Sequence, residues 1–212
     1  MTAQKIAIVD YNMGNLRSVY NALAFLSPKS DIQITHSPDV IEEADRIVIP
    51  GQGAARDCME AMQAAGVKQR IAPWIASGKP IFGICMGMQL LFDHSSENEG
   101  VDCLGIYGGT VRRFETDSSG DRKVPQMGWN AVEQREHPLW HGIENNAHFY
   151  FAHSYYLTPS DDNISVGLTD YGRVFTSAIA RDNVFACQFH PEKSADAGLQ
   201  LIKNFLNWNP VS

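Results

Sequence analysis

The stretch Pro80-Ile81-Phe82-Gly83-Ile84-Cys85-Met86-Gly87-Met88-Gln89-Leu90-Leu91-Phe92 decides how this chain folds. Residues 81–84 form a short apolar run that reads as a buried strand of a parallel sheet. The run stops at Cys85, and residues 86–92 then read as a helix. Gly83 and Gly87 stand two positions either side of the cysteine, giving a Gly-x-nucleophile-x-Gly elbow with a thiol where a serine hydrolase has a hydroxyl. The glycines suit a turn in which strand and helix approach too closely for side chains. Such a turn lifts the sulfur clear of the sheet and sets it at a helix N-terminus, where unpaired N–H groups favour a thiolate. A core cysteine between two glycines reads the same way. The chemistry therefore depends on finding a base, an orienting carboxylate and an oxyanion hole elsewhere.

Upstream of the elbow the apolar pattern alternates between strand and helix. Residues 5–9 read as a strand ending at Asp10. Leu16, Val19, Leu23 and Leu26 recur at helical spacing before Pro28. Strands follow at 32–35 and 46–49, the second running into Pro50-Gly51-Gln52-Gly53, and helices at 57–65 and 68–76. This order predicts an α/β fold, a mostly parallel sheet flanked by helices. Ligands gather at the carboxyl ends of such strands, and Asp10, Pro50 and Cys85 all fall there. Downstream, residues 95–100 read as a polar loop. Strands are expected at 110–114, 129–133, 148–151, 154–157, 164–169, 174–181 and 184–189, joined by turn-rich pieces such as 116–121. Hairpins and antiparallel additions are therefore expected in the second half. Residues 195–208 carry Leu199, Ile202, Phe205 and Leu206 on one face and read as a closing amphipathic helix.

The 212 residues suit one domain over 1–212, with a composition ordinary for a globular protein. A net charge of −7 without a Lys/Arg cluster argues against a nucleic-acid partner. No apolar run approaches the roughly 18 residues that cross a bilayer, and the start lacks the pattern of a signal peptide. Cys58, Cys85, Cys103 and Cys187 are too scattered for a disulfide framework or a zinc site, so a reducing, cytoplasmic setting is expected. Cys58, Cys103 and Cys187 read as packing residues, and His137, His141 and His148 as surface or core histidines with no metal spacing.

Val184-Phe185-Ala186-Cys187-Gln188-Phe189-His190-Pro191-Glu192 supplies the missing base. His190 ends a strand, and Glu192 follows a stiffening proline. An imidazole takes and returns protons near neutrality, and a neighbouring carboxylate fixes its tautomer and steadies the imidazolium. Of seven histidines, His190 alone has a carboxylate two residues on at a strand end. Gly51, Gln52 and Gly53 are the oxyanion candidates, because glycines let backbone N–H groups face a ligand; the N–H of Met86 would be the second donor. Gln89, one helical turn past the cysteine, either binds a polar substrate group or is solvated.

With Gly83-Ile84-Cys85-Met86-Gly87-Met88-Gln89 and His190-Pro191-Glu192, the chain resembles the class I glutamine amidotransferases. Four further stretches are similar to the glutaminase subunits of imidazole glycerol phosphate synthases: Asp10-Tyr11-Asn12-Met13-Gly14-Asn15-Leu16, Pro50-Gly51-Gln52-Gly53, Val124-Pro125-Gln126-Met127-Gly128-Trp129-Asn130, and Phe149-Tyr150-Phe151-Ala152-His153-Ser154-Tyr155-Tyr156. The resemblance covers the whole chain. It implies a catalytic triad of Cys85, His190 and Glu192, glutamine held by Gln89, Ser154 and Tyr155, and no cofactor or metal. It implies a heterodimer with a (β/α)₈ cyclase subunit that takes ammonia through a protected channel in histidine biosynthesis. A movable oxyanion segment over 50–53 would be the switch through which the partner's ligand activates the glutaminase. Two positions depart from the family: Gln52 where valine is usual, and Gln126 where histidine is usual. Residue 126 is expected at the partner surface. Competing readings are the glutaminase subunit of another synthase, a free-standing γ-glutamyl cysteine hydrolase, and a non-catalytic module that keeps the fold.

Overall fold

The computed structural model describes residues 3–116 and 123–210. The turn expected over 116–121 lies, apart from Thr116, outside the described residues. The first half alternates as the apolar pattern requires: β1 (Lys5–Val9), α1 (Leu16–Leu26), β2 (Asp31–Thr35), α2 (Pro38–Glu43), β3 (Arg46–Gly51), α3 (Ala55–Ala64), α4 (Lys68–Ala76), β4 (Ile81–Cys85) and α5 (Met86–Gln89). There follow β5 (Phe92–Ser95), β6 (Val101–Asp102), β7 (Tyr107–Arg113), β8 (Gln126–Ala131), β9 (Glu133–Gln134), β10 (His148–His153), β11 (Tyr155–Pro159), β12 (Ser165–Asp170), β13 (Val174–Arg181), β14 (Val184–Cys187) and α6 (Ala195–Asn207).

The main sheet runs β2-β1-β3-β4-β14-β13-β11-β7-β5-β6, with β12 and β9 branching from β13. Every pairing from β2 to β14 is parallel, and the sheet turns antiparallel at β13. Both β4 and β14 are therefore interior strands of the parallel half, and all five residues of β4 are buried. That is why their sequences are continuous apolar runs rather than alternating ones. One face is closed by α3 and α4 through Met59, Met62, Ile71 and Trp74 packed with Ile47 and Ile49. The other is closed by α1 and α6, where Phe82 meets Phe205 and Phe185 at ring-centroid distances of 5.0 and 5.7 Å. A separate antiparallel ribbon pairs β8 with β10 and sets His153 directly opposite Gln126.

Several expectations are corrected. The helix expected over 86–92 is one turn, Met86–Gln89, and the chain then straightens into β5, which pairs with β7 in parallel. The expected polar loop at 95–100 contains a 3₁₀ turn, Glu97–Glu99. The strand expected at 129–133 starts three residues earlier, at Gln126, and β14 ends at Cys187 rather than 189.

Candidate active site

Cys85 ends β4 with φ 55° and ψ −111°, a left-handed backbone that a non-glycine residue adopts only under constraint. The constraint is the turn itself. A Cβ on Gly87 would stand 1.8 Å from the Ile49 carbonyl oxygen, and one on Gly83 would stand 2.8 Å from Ala186 Cβ. Glycine at both positions lets the turn settle onto β3 and β14, as the elbow reading required. The helix beyond it is only one turn, so its dipole is smaller than a full helix would give.

The neighbouring strand β14 positions the candidate base, His190. Past Cys187, Gln188 and Phe189 are fully buried, and His190 is fixed by its backbone N–H to the Tyr150 carbonyl at 2.9 Å. The 3₁₀ turn Pro191–Lys193 then returns Glu192, whose Oε1 lies 3.0 Å from His190 Nδ1. Ser194 braces this turn, donating to the His190 carbonyl at 2.6 Å and accepting from Tyr150 N–H at 2.9 Å. Burial draws the His190 pKa down, but hydrogen bonding to the Cys85 sulfur and the Glu192 carboxylate, with their charges, outweighs it and pushes the pKa up to about 10. The Glu192 side chain is fully buried; Asn15 Nδ2 approaches Oε1 at 3.4 Å, and Oε2 has no partner among the described residues.

A cleft of about 330 Å³ opens over the sulfur. Of the residues singled out in the sequence, Cys85, His190, Gln52, Gly53, Met86, Gln89, Ser154 and Tyr155 all line it. Gly51 does not. It lies beneath, where an added Cβ would meet Tyr11 Oη at 2.4 Å and Met86 Cβ at 2.8 Å; Tyr11 in turn donates to the Pro50 carbonyl at 2.7 Å. Cys58 is more than filler. Its thiol donates to the Gln52 carbonyl at 3.3 Å, and burial pushes its pKa up to about 12, so the proton stays on sulfur. Because the peptide is trans, holding that carbonyl points the Gly53 N–H the other way.

Gln89 turns its amide nitrogen inward to Gln188 Oε1 (2.7 Å) and the Tyr155 carbonyl (3.2 Å), so only its oxygen is left for a ligand. Gln126, expected at a partner surface, is buried instead. Strand alternation points it inward against His153, while Met127 beside it is 66% exposed. Sequence reading missed Glu97 and Lys193, which give the cleft one charge of each sign. Glu97 is held by the Ala55 N–H at 2.7 Å. Its only sequence signal was a place in a polar stretch. A larger, open depression of about 940 Å³ near His137 and Trp208 offers no nucleophile. Among the described residues no group of three His, Cys, Asp or Glu is placed to hold a metal, and no helix is long and apolar enough to cross a membrane.

Residues 7–208 match the model of the glutamine amidotransferase class-I family. The chain belongs to that family. The amidotransferase is 51% identical over 212 residues to "Imidazole glycerol phosphate synthase subunit HisH" of Hydrogenovibrio crunogenus, covering 99% of both chains. It is 52% identical over 211 residues to the protein of the same name from Thiobacillus denitrificans, covering 97% of this chain and 92% of that one. Solved structures share its fold at low identity. PurLQS from Thermotoga maritima superposes with a TM-score of 0.74 at 21% identity, over 97% of this chain and 99% of that chain. A crystal structure of a glutamine amidotransferase gives 0.71 at 16%, over 96% and 97%.

Proposed function

We propose that this amidotransferase is the glutaminase subunit of an imidazole glycerol phosphate synthase, releasing ammonia from glutamine for a cyclase subunit. The observation that carries the chemistry is the meeting of Cys85 and His190 in one cleft, at the carboxyl ends of adjacent parallel strands, with Glu192 buried behind the imidazole. The relatives named as that synthase's subunit match along nearly their full length and support the choice of partner.

Glutamine enters with its side-chain amide over Cys85. Its α-ammonium faces Glu97 and the free oxygen of Gln89, and its α-carboxylate faces Lys193 and the backbone at Ser154 and Tyr155. The Cys85 thiolate attacks the amide carbon, forming the S–C bond. The oxyanion is met by the N–H of Met86 and an N–H of the Gln52–Gly53 segment. His190 gives its proton to the nitrogen, the C–N bond breaks, and ammonia leaves a glutamyl thioester behind. Water then attacks the thioester, His190 takes the proton, and the C–S bond breaks to release glutamate. Glu192 keeps the imidazole oriented and balances its charge throughout. The cyclase subunit docks over the cleft mouth, where β8 exposes Met127 and Trp129, and takes up the ammonia.

The test is glutamate release by the purified chain, alone and with a cyclase subunit plus its nucleotide ligand. Little release alone and a large rise with both are expected, with Cys85→Ala abolishing it. Full turnover alone, indifferent to the cyclase, would replace this reading with a free-standing hydrolase.

A further inference from the structure

In and under the cleft lies a set of polar side chains, of which the reaction above uses only the Gln89 oxygen. Gln188 is fully buried, Gln89 and Gln126 are each 3% exposed, and His153 is 6% exposed. They form one continuous chain that ends on the nucleophile. Gln126 Oε1 lies 3.0 Å from His153 Nε2 across the β8–β10 ribbon. His153 Nδ1 lies 2.7 Å from the Tyr155 carbonyl, which also accepts from Gln89 Nε2 at 3.2 Å. Gln89 Nε2 gives its other hydrogen to Gln188 Oε1 at 2.7 Å, and Gln188 Nε2 approaches Cys85 Sγ at 3.7 Å.

The direction of the bonds from His153 to Cys85 is forced. A main-chain carbonyl only accepts, so Nδ1 of His153 and Nε2 of Gln89 are the donors facing Tyr155. Burial pushes His153 down to about 4, so its ring is neutral near pH 7; with Nδ1 donating, Nε2 accepts, and the Gln126 amide, whose Oε1 the structure places there, satisfies it once turned over to present its nitrogen. Since Gln89 donates to Gln188, the Gln188 oxygen is committed to it. The Gln188 nitrogen is left for the sulfur. Turning over the Gln89 amide would set its oxygen against those of Tyr155 and Gln188, and a buried unpaired donor or acceptor is costly.

Resting on the reading of Cys85 as nucleophile, we propose that Gln188 is a further member of the catalytic machinery: the buried chain Gln126–His153–Tyr155–Gln89–Gln188 aims an amide N–H at the Cys85 sulfur and holds it for attack. At 3.7 Å the contact is a weak sulfur hydrogen bond, so its value lies in orientation. His153 and Gln126 act through others and are positioning residues.

The experiment uses Gln188→Glu, which keeps the length and the acceptor for Gln89 but removes the N–H toward sulfur. Two rates are read: alkylation of Cys85 by iodoacetamide in the purified chain, and glutaminase turnover with cyclase subunit and ligand. Both are expected to fall by about tenfold or more, with KM for glutamine within twofold of the parent and a similar thermal midpoint. Gln126→Leu, at the far end, should give a smaller loss in the same two rates. Unchanged alkylation and kcat in folded Gln188→Glu would overturn the proposal, as would a lower thermal midpoint with unchanged rates. If Gln188→Glu does not fold, the unsubstituted protein decides: the side-chain amide resonance of Gln188 should move when Cys85 is alkylated, and a stationary resonance overturns the proposal. Alkylation reports the sulfur whether or not glutamine is the substrate. A failure of the glutaminase reading would therefore show as absent turnover with Cys85 still reactive, a distinct result.

Discussion

His190 and His153 are both buried, lie close enough to feel each other's charge, and shift in opposite directions. The difference is in their partners. His190 has a sulfur and a carboxylate, whereas His153 has only a carbonyl and an amide. For His190, with its folded pKa raised, the stabilisation is complete below the unfolded value of about 6.5 and is lost as pH rises through about 10. For His153, pushed down to about 4, the unfolded state binds the proton more readily, so stability present above pH 6.5 is lost as pH falls toward 4. The displacement from 6.5 to about 4 is worth at most about 3 kcal/mol. Urea unfolding from pH 7 to 4 should therefore show a steeper loss in the parent than in His153→Asn, which has no proton to gain there; parallel curves would contradict this. At this scale the sequence was informative where chemistry is local. A cysteine between two glycines and a histidine two residues before a glutamate announce themselves. Gln126 and Glu97 did not, because their surroundings come from strands and turns distant in the chain.

The elbow is the element on which the site depends, and its tightness can be measured. Gly87→Ala would drive a methyl to 1.8 Å from the Ile49 carbonyl, a main-chain atom of an interior strand that cannot move aside cheaply. We expect a loss of about 3 kcal/mol or more, or no soluble protein. Gly66→Ala is the control: φ is 69°, yet nothing lies within 4 Å of the added carbon, so only the backbone cost of about 1 kcal/mol should appear. Equal losses in thermal melts of the two variants would mean that the turn is not held against β3 as described. The same element shows why some boundaries were hidden. Leu90, Leu91 and Phe92 are all buried, and a short apolar run continues a helix as readily as it starts a strand. What ends α5 is the pairing of β5 with β7, which begins 15 residues after Phe92 at Tyr107, and no local pattern announces it. The interior strands β1, β3 and β4 were legible because burial on both faces leaves an unbroken apolar signature.

Across the whole molecule, the sheet is closed by a residue that no motif marked. Arg46, at the start of β3 and 4% exposed, sends its guanidinium to the end of α6. It donates to the carbonyls of Phe205 (3.0 Å) and Trp208 and to Asn209 Oδ1 (3.1 Å), and its Nε donates to Gln4 Oε1 at 2.9 Å. Gln4 itself donates to the Leu206 carbonyl at 3.1 Å. The last carbonyls of a helix have no partners of their own, and a cation at that end also meets the negative pole of its dipole. Arg46 thus supplies what α6 lacks and ties the first strands of the chain to its last helix. That helix packs Phe205 on Phe82 of β4, and Phe82 stands three residues before Cys85. A chain fastened in this way should unfold as one unit over 1–212. Arg46→Ala strips several buried acceptors at once and should cost about 2–4 kcal/mol. Fluorescence and far-UV circular dichroism should give coincident urea transitions in both parent and variant, shifted together in the variant. If Arg46→Ala instead released α6 in a separate early step, the two probes would diverge, and the single-unit reading would give way to a docked helix on an independently stable sheet.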